Sequence, residues 1–574
     1  VNPTRAKLRQ QYVLQRMLGL GYLTEPEYRA ALDEKQQVRQ LGGEFGVRAE
    51  YVAELARQLV YDIYKEETYT RGLNVYTTVN RDMQDAAYDS LRDGVLDYER
   101  RHGYRGPEAF VDLPSGIDNN PEKLNEAVDD ALNDYPDSDT LLSAVVLAAD
   151  ANKVRVARSS GEIIDIAGKG LKFVQPALSA KAQPSVRIRR GAIVRILKTG
   201  NDWEILQTPQ VQAAFVSTDP QNGAIRAMVG GFDFHSGKFN RVTQAWRQPG
   251  SSFKPFIYAA SLERGLTPAT IISDDPFVLE ASATGSQRWE PKNYDGKNEP
   301  PMTMRQGLAK SKNMVSIRVL QSIGPQYAQD YITRFGFDAA RHPAYLTMAL
   351  GAGSVTPLQM AGAYSVFANG GYRVTPYLID KVTDSTGRVL MQARPTKAGD
   401  ESLRAIDART AYIADSMLRD VVRTGTARAA LSLRRQDVAG KTGTTNNSVD
   451  AWFAGYTPGL VGVAWLGYDQ PRSLGVRETG GGAAMPIWLK YMQRALKEVP
   501  QREQPMPSGI IVQNGDYYFA EFPPGQAVAS VGLPPPSTDP MSRLIDSLGN
   551  LINGNGGNSG SNSGGGNTRQ EYLP

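Results

Sequence analysis

In the stretch Gln248-Pro249-Gly250-Ser251-Ser252-Phe253-Lys254-Pro255-Phe256, a Pro-Gly turn runs straight into Ser-x-x-Lys. An apolar run follows to Leu262 and is closed by Gly265. The turn in front and the glycine behind predict a helix between them. On that helix Ser251 and Lys254 share one face, one turn apart. A serine hydroxyl is a weak nucleophile and needs a base within hydrogen-bond reach. A lysine kept from protonating can be that base. Ser251 would also lie at the helix N-terminus, where free backbone N–H groups favour negative charge on an attacked oxygen. Taken alone, the same four residues equally describe a serine near an N-cap and a solvated lysine.

Two later stretches decide between these readings. Ser311-Lys312-Asn313 follows Gly307-Leu308-Ala309-Lys310, which reads as a helix flanked by a loop. Lys441-Thr442-Gly443-Thr444-Thr445 follows Asp437-Val438-Ala439-Gly440 on a segment of strand character. The order Ser-x-x-Lys, Ser-x-Asn, Lys-Thr-Gly is that of class A β-lactamases and penicillin-binding proteins. Further blocks extend the likeness: Asn293-Tyr294-Asp295, Leu350-Gly351-Ala352-Gly353, Val355-Thr356-Pro357-Leu358-Gln359-Met360, Thr424-Gly425-Thr426-Ala427 and Asp450-Ala451-Trp452-Phe453-Ala454-Gly455-Tyr456. On these residues the chain resembles the class A, bifunctional penicillin-binding proteins, which polymerise and cross-link peptidoglycan.

Bulk properties narrow the alternatives. With 574 residues there is room for about two to four domains. A net charge of +4 is too mild to argue for a nucleic-acid partner. Cysteine is absent, which excludes disulfides and a cysteine nucleophile. The histidines His102, His235 and His342 are far apart, so no metal is expected. No cofactor is expected either: Gly351-Ala352-Gly353 reads as a structural turn, with no dinucleotide fingerprint around it. No apolar run approaches the roughly eighteen residues of a membrane span, and no signal peptide precedes Val1-Asn2-Pro3. The resemblance implies an N-terminal membrane anchor upstream, on the periplasmic face of the bacterial inner membrane, so the chain is expected to be a piece of a longer protein.

The organisation expected along the chain is multidomain, α/β and β. Residues 1–48 resemble the last helices of a glycosyltransferase domain, with Asn2-Pro3 as a helix start, Gly21 as a stop and Thr24-Glu25-Pro26-Glu27 as a capping box. The catalytic glutamate motifs of that domain are not found in this chain, so glycan polymerisation is assigned to the parent protein. Residues 49–105 read as a linker: a helix from Tyr51 to Tyr64, a strand from Leu73 to Val79, then a helix capped by Asn80. Residues 106–210 carry short alternating runs, Leu142–Leu147, Lys153–Val156, Glu162–Ile166, Ala192–Leu197 and Trp203–Leu206, which predict a small OB-like β-barrel. It lacks the aromatic ladder of a nucleic-acid binder and is read as a module contacting the wall or its regulatory proteins. Residues 211–500 form the transpeptidase domain, an antiparallel sheet with helices on both sides, opening on a hairpin that turns at Pro220-Gln221-Asn222-Gly223. Residues 501–544 are a C-terminal extension, and residues 545–574 a Gly/Asn/Ser-rich tail, disordered on composition.

The resemblance also implies roles. Ser251 attacks the carbonyl of a D-Ala-D-Ala bond, Lys254 accepts its proton, and Ser311 relays that proton to the leaving nitrogen. Asn313 offers its amide to the substrate backbone. Lys441, Thr442 and Thr444 seat the terminal carboxylate, with Gly443 between them, and backbone N–H groups of Ser251 and Thr444 form the oxyanion hole. β-Lactams acylate the same serine. Lys312 is expected to be a solvated charge, Thr356 and Thr426 structural, and Trp289 and Tyr294 either cleft or core. A β-lactamase would need a glutamate base for deacylation, and Glu290 lacks the right setting. A β-lactam sensor would lack the linker and glycosyltransferase remnant. A D,D-carboxypeptidase side activity stays open.

Overall fold

The computed structural model describes residues 3–33, 46–280 and 287–533. Asn2 and the Gly/Asn/Ser-rich tail lie outside the described residues. Two helices open the chain, Pro3–Gly19 and Glu25–Asp33. Thr24 meets the Glu27 carboxylate through its N–H and its hydroxyl, both at 2.7 Å, at the start of the second. No helix among the described residues is long and apolar enough to cross a membrane.

The largest core surrounds a five-stranded antiparallel sheet. Its strands are β1 (Gln212–Thr218), β2 (Ile225–Val229), β3 (Ala439–Thr444), β4 (Asp450–Thr457) and β5 (Leu460–Gly467), in the order β3-β4-β5-β1-β2. Every residue of β4 and β5 is buried, as expected where helices cover both faces of a sheet. α1 (Arg81–His102) packs on β1 and β2, and on α5 (Met485–Ala495), while α3 (Pro357–Ala368) and α4 (Ala408–Arg423) lie against β1, β3, β4 and β5. α2 (Lys254–Leu262) is buried along its whole length and packs on α4. All nine of its side chains are enclosed, so it shows no amphipathic stripe.

α1 is capped by Asn80, whose side chain accepts from Met83 N at 3.0 Å. Its Ala86, Ala87, Leu91 and Val95 are in the same core as the sheet. Gln84 accepts from Met228 N at 2.8 Å and donates to Met228 O at 3.0 Å. Those bonds occupy backbone groups of edge strand β2 that would otherwise template another chain. The segment read as a linker is thus one layer of the sheet domain.

Residues 109–206 fold around two smaller cores. The strands Leu141–Ala149, Lys153–Ala157, Ile163–Ala167, Ala192–Thr199 and Asp202–Leu206 pair antiparallel. The Ile163–Ala167 and Asp202–Leu206 strands touch, curling the sheet on itself. The Pro121–Leu132 helix was not foreseen, although Asn120 caps it and Pro121 starts it. Beyond α5, a hairpin of Ile510–Gln513 with Asp516–Phe519 is followed by the Ser530–Val531 strand, which pairs in parallel with Ile271–Ile272.

Candidate active site

The residues before Lys254 form a 3₁₀ turn, Gly250–Phe253, and the α-helix starts only at Lys254. Ser251 and Lys254 are still one turn apart. The turn is tied to the sheet: Trp452 Nε1 donates to Gln248 O at 2.8 Å, and Tyr364 OH donates to Ser252 O at 2.6 Å. Arg247 Nε donates to Asp450 Oδ1 at 2.7 Å, between two largely buried side chains. Gly250 has φ +55°, and a Cβ there would sit 2.6 Å from Thr444 O. A Cβ at Gly443 would sit 2.5 Å from Pro249 O. Both glycines are required for β3 to lie against the serine turn.

Ser311 occupies a break between the Met304–Lys310 helix, which opens with a Thr303–Gln306 capping box, and the Asn313–Ile323 helix. Its φ of 59° and ψ of 37° put a non-glycine residue in the left-handed region, a strained state that its surroundings must hold. The second motif therefore sits between two helices.

Two buried amines converge on this serine. Lys254 Nζ donates to Ser311 O at 2.7 Å and to Asn313 Oδ1 at 2.8 Å, with Ser311 Oγ at 3.3 Å. Lys441 Nζ, on β3, donates to Ser311 Oγ at 2.8 Å and to Thr442 O at 3.0 Å. Burial, then the charge of Lys441, pushes the Lys254 ammonium well below its ordinary pKa, against a smaller opposing pull from Asp274. Burial pushes Lys441 down to about 7. No hydrogen bond to Ser251 Oγ from Lys254 is found, so the expected direct contact is not formed.

Ser311, Asn313 and Thr442 line a cleft of ≈ 760 Å³ that also takes in Ser251, Trp289, Tyr294, Thr426, Thr444 and Thr479, with the Lys254 and Lys441 amines buried behind it. Two expectations change here. Lys312 is not solvated: its side chain is 3% exposed and is held by carboxylates. Thr426 lines the cleft, its Oγ1 2.7 Å from Thr442 Oγ1. Asn313, which lines the cleft, accepts from Lys254 through its amide oxygen and donates through Nδ2 to Lys292 O at 2.7 Å. Thr356 does cap α3, in a capping box with Gln359. Trp289 and Tyr294 are both cleft residues, and Trp289 also packs edge-on against Phe277. Thr479 was missed. Its signal was the run Gly480-Gly481-Gly482, where Gly480 N donates to Thr444 Oγ1 at 3.0 Å.

Comparison with known proteins reaches the same place. The family "Penicillin binding protein transpeptidase domain" matches residues 213–493, and "Penicillin-binding protein OB-like domain" matches residues 104–211. Penicillin-binding protein 1A of Neisseria lactamica is 47% identical over 522 residues, covering 91% of this chain and 65% of its own. That of Pseudomonas aeruginosa is 38% identical over 614 residues, covering 96% of this chain and 74% of its own. This chain belongs to the class A penicillin-binding proteins. A crystal structure of penicillin-binding protein 1A from Haemophilus influenzae superposes with a TM-score of 0.79 at 34% identity, covering 90% of this chain and 82% of that one. Against the Neisseria lactamica relative, this penicillin-binding protein spans slightly under two thirds of the full length. Its transpeptidase sheet carries the cleft, and its OB-like domain lies outside it.

Proposed function

We propose that this chain is a serine D,D-transpeptidase that cross-links peptidoglycan stem peptides and is acylated by β-lactams. The observation that carries this is the amine–hydroxyl–amine series Lys254, Ser311, Lys441 on the floor of a cleft that Ser251 lines. In this reading Ser251 Oγ attacks the D-Ala-D-Ala carbonyl and its proton passes to the neutral amine of Lys254. The C–N bond then breaks. Lys254 returns the proton to Ser311 Oγ, which hands its own proton to the leaving D-Ala nitrogen. An amine of a second stem peptide takes the acyl group and frees Ser251.

Lys254 is suited to the base role because a neutral amine has two N–H bonds and one lone pair. The Ser311 carbonyl and the Asn313 amide oxygen use the N–H bonds, which leaves the lone pair for a proton. Lys441, its ammonium proton loosened by burial, donates to Ser311 Oγ at 2.8 Å and supports that hydroxyl. The hydroxyls of Thr442, Thr444 and Thr426 at the cleft wall are the donors for the substrate carboxylate. In the absence of an acceptor amine, water in this open polar cleft takes the acyl group, a D,D-carboxypeptidase side activity. The parent protein, longer than this chain, polymerises glycan and is anchored in the inner membrane facing the periplasm. The OB-like domain is where regulatory proteins of the wall would dock.

The test is intact-mass analysis after a penicillin pulse. Wild type gains one drug mass and S251A gains none. An S251A chain that still labels moves the nucleophile elsewhere, Ser252 being the nearest candidate. An adduct that vanishes within seconds, with excess hydrolysed drug, makes the chain a β-lactamase. Among the described residues no carboxylate hydrogen-bonds to Ser251, Lys254, Ser311 or Lys441, and a missing general base costs about 10²–10⁴-fold in rate, so the adduct should outlast the pulse by minutes to hours.

A further inference from the structure

Lys312 lies one residue from the strained Ser311, with its side chain pointing into the wall of the cleft. Its Nζ is 3.0 Å from Asp295 Oδ2, 3.1 Å from Glu299 Oε1, 3.1 Å from Lys297 O and 3.6 Å from Asp274 Oδ2. Asp274 is fully enclosed. Both its oxygens accept from Asn293 Nδ2 at 2.9 Å, and Oδ2 also accepts from Glu299 N at 2.9 Å. Asn293, buried as well, accepts from Asn313 N at 2.7 Å through its amide oxygen. One network therefore joins the wall segment 287–299, which carries Trp289 and Tyr294, to Lys312 and Asn313, the two residues that follow Ser311 in the second motif.

We propose that Lys312, with Asp274 and Asn293, is a positioning element: it locks the left-handed Ser311 turn to the cleft wall and balances the buried charge that Lys254 experiences. A left-handed non-glycine residue persists only where its surroundings over-determine it. Here the clamp on either side of Ser311 is Lys254 to its carbonyl and Lys312 to the acidic wall. Burial alone would lower the Lys312 pKa, but its bonds to Asp295 and Glu299 outweigh that and hold it raised, so Lys312 stays cationic. Lys310 shares Glu299, and Arg318 is the other cation near Asp274. The groups acting on Lys254 are Lys441, which disfavours its proton, and Asp274, which favours it. Lys312 neutralises Asp274 and so mutes that second influence.

This rests on the acyl-transfer reading of Ser251, and opposite charge changes separate it from mere scaffolding. The measurement is the acylation rate by a fluorescent penicillin across neutral pH, on the full chain, with thermal unfolding alongside. D274N removes a carboxylate and should move the acid limb of the profile to lower pH, by about half a unit to one unit. K312M leaves Asp274 unbalanced and should move it to higher pH, with a rate loss of about tenfold or more as Ser311 loosens. K312R keeps the charge and should keep the wild-type position of the limb, even at reduced rate. D295N, at an exposed carboxylate, should move it like D274N but less, and remains informative if a buried variant fails to fold. Profiles that stay put in D274N, K312M and D295N, or that all move the same way, overturn the proposal. A wild-type chain that takes up no penicillin overturns the acyl-transfer reading instead.

Discussion

The floor and the wall of the cleft each bury lysines, with opposite consequences. On the floor, Lys254 and Lys441 are enclosed among hydroxyl, amide and carbonyl groups, with no carboxylate in ion-pair range. Their protons are therefore loosely held. In the wall, Lys312 lies nearer the surface with its side chain 3% exposed, and three carboxylates surround it and hold its proton firmly. Burial without a counter-charge makes a base; burial with one makes a strut. Residue type does not distinguish them.

The largest effect that sharpens this contrast belongs to the floor. K254R stays protonated and should lose acylation by about 10²–10⁴-fold, measured by intact mass against time. An Arg variant acylated at the wild-type rate would remove Lys254 from the base role. G250A comes next: a Cβ there meets Thr444 O at 2.6 Å, in a left-handed backbone, so the serine turn must shift away from β3. A displacement on the order of 1 Å can cost about 10²-fold in rate, and the same assay reads it.

The pH dependence of stability comes third and carries a sign. Lys441 falls to about 7 in the fold against about 10.4 in an unfolded chain. Between those values the unfolded chain binds more protons, so stability rises with pH across that window and declines as pH falls toward 7. K441M removes the titrating group. Its midpoint temperature should rise less with pH than that of wild type, and equal slopes would mean that Lys441 is not proton-poor in the fold. Smallest is T426V, which removes one cleft hydroxyl and its contact with Thr442. It should raise KM for a D-Ala-D-Ala peptide by roughly tenfold or less, about 0.5–1.5 kcal/mol for one hydrogen bond, with little change in kcat.

The three motifs, their order, the β1–β2 hairpin at Pro220–Gly223 and five of the six strands of the OB-like domain were legible in the amino-acid sequence. Each is a local pattern: turn residues, alternation of period two, or spacing along one helical turn, enforced by neighbours in the chain. The burial of Lys312 was not legible, because Asp274 reaches it from one stretch and Asp295 with Glu299 from another. Nor was the state of Lys441, which depends on its complete enclosure by the sheet domain. The pairing of the Asn313 amide is of the same kind, since Lys254 and Lys292 O claim it. Sequence by itself determined which chemical groups are present and on what kind of backbone. Only the tertiary structure decided which of them carry protons and which way they face, because desolvation and charge pairing are set by distance in space rather than along the chain.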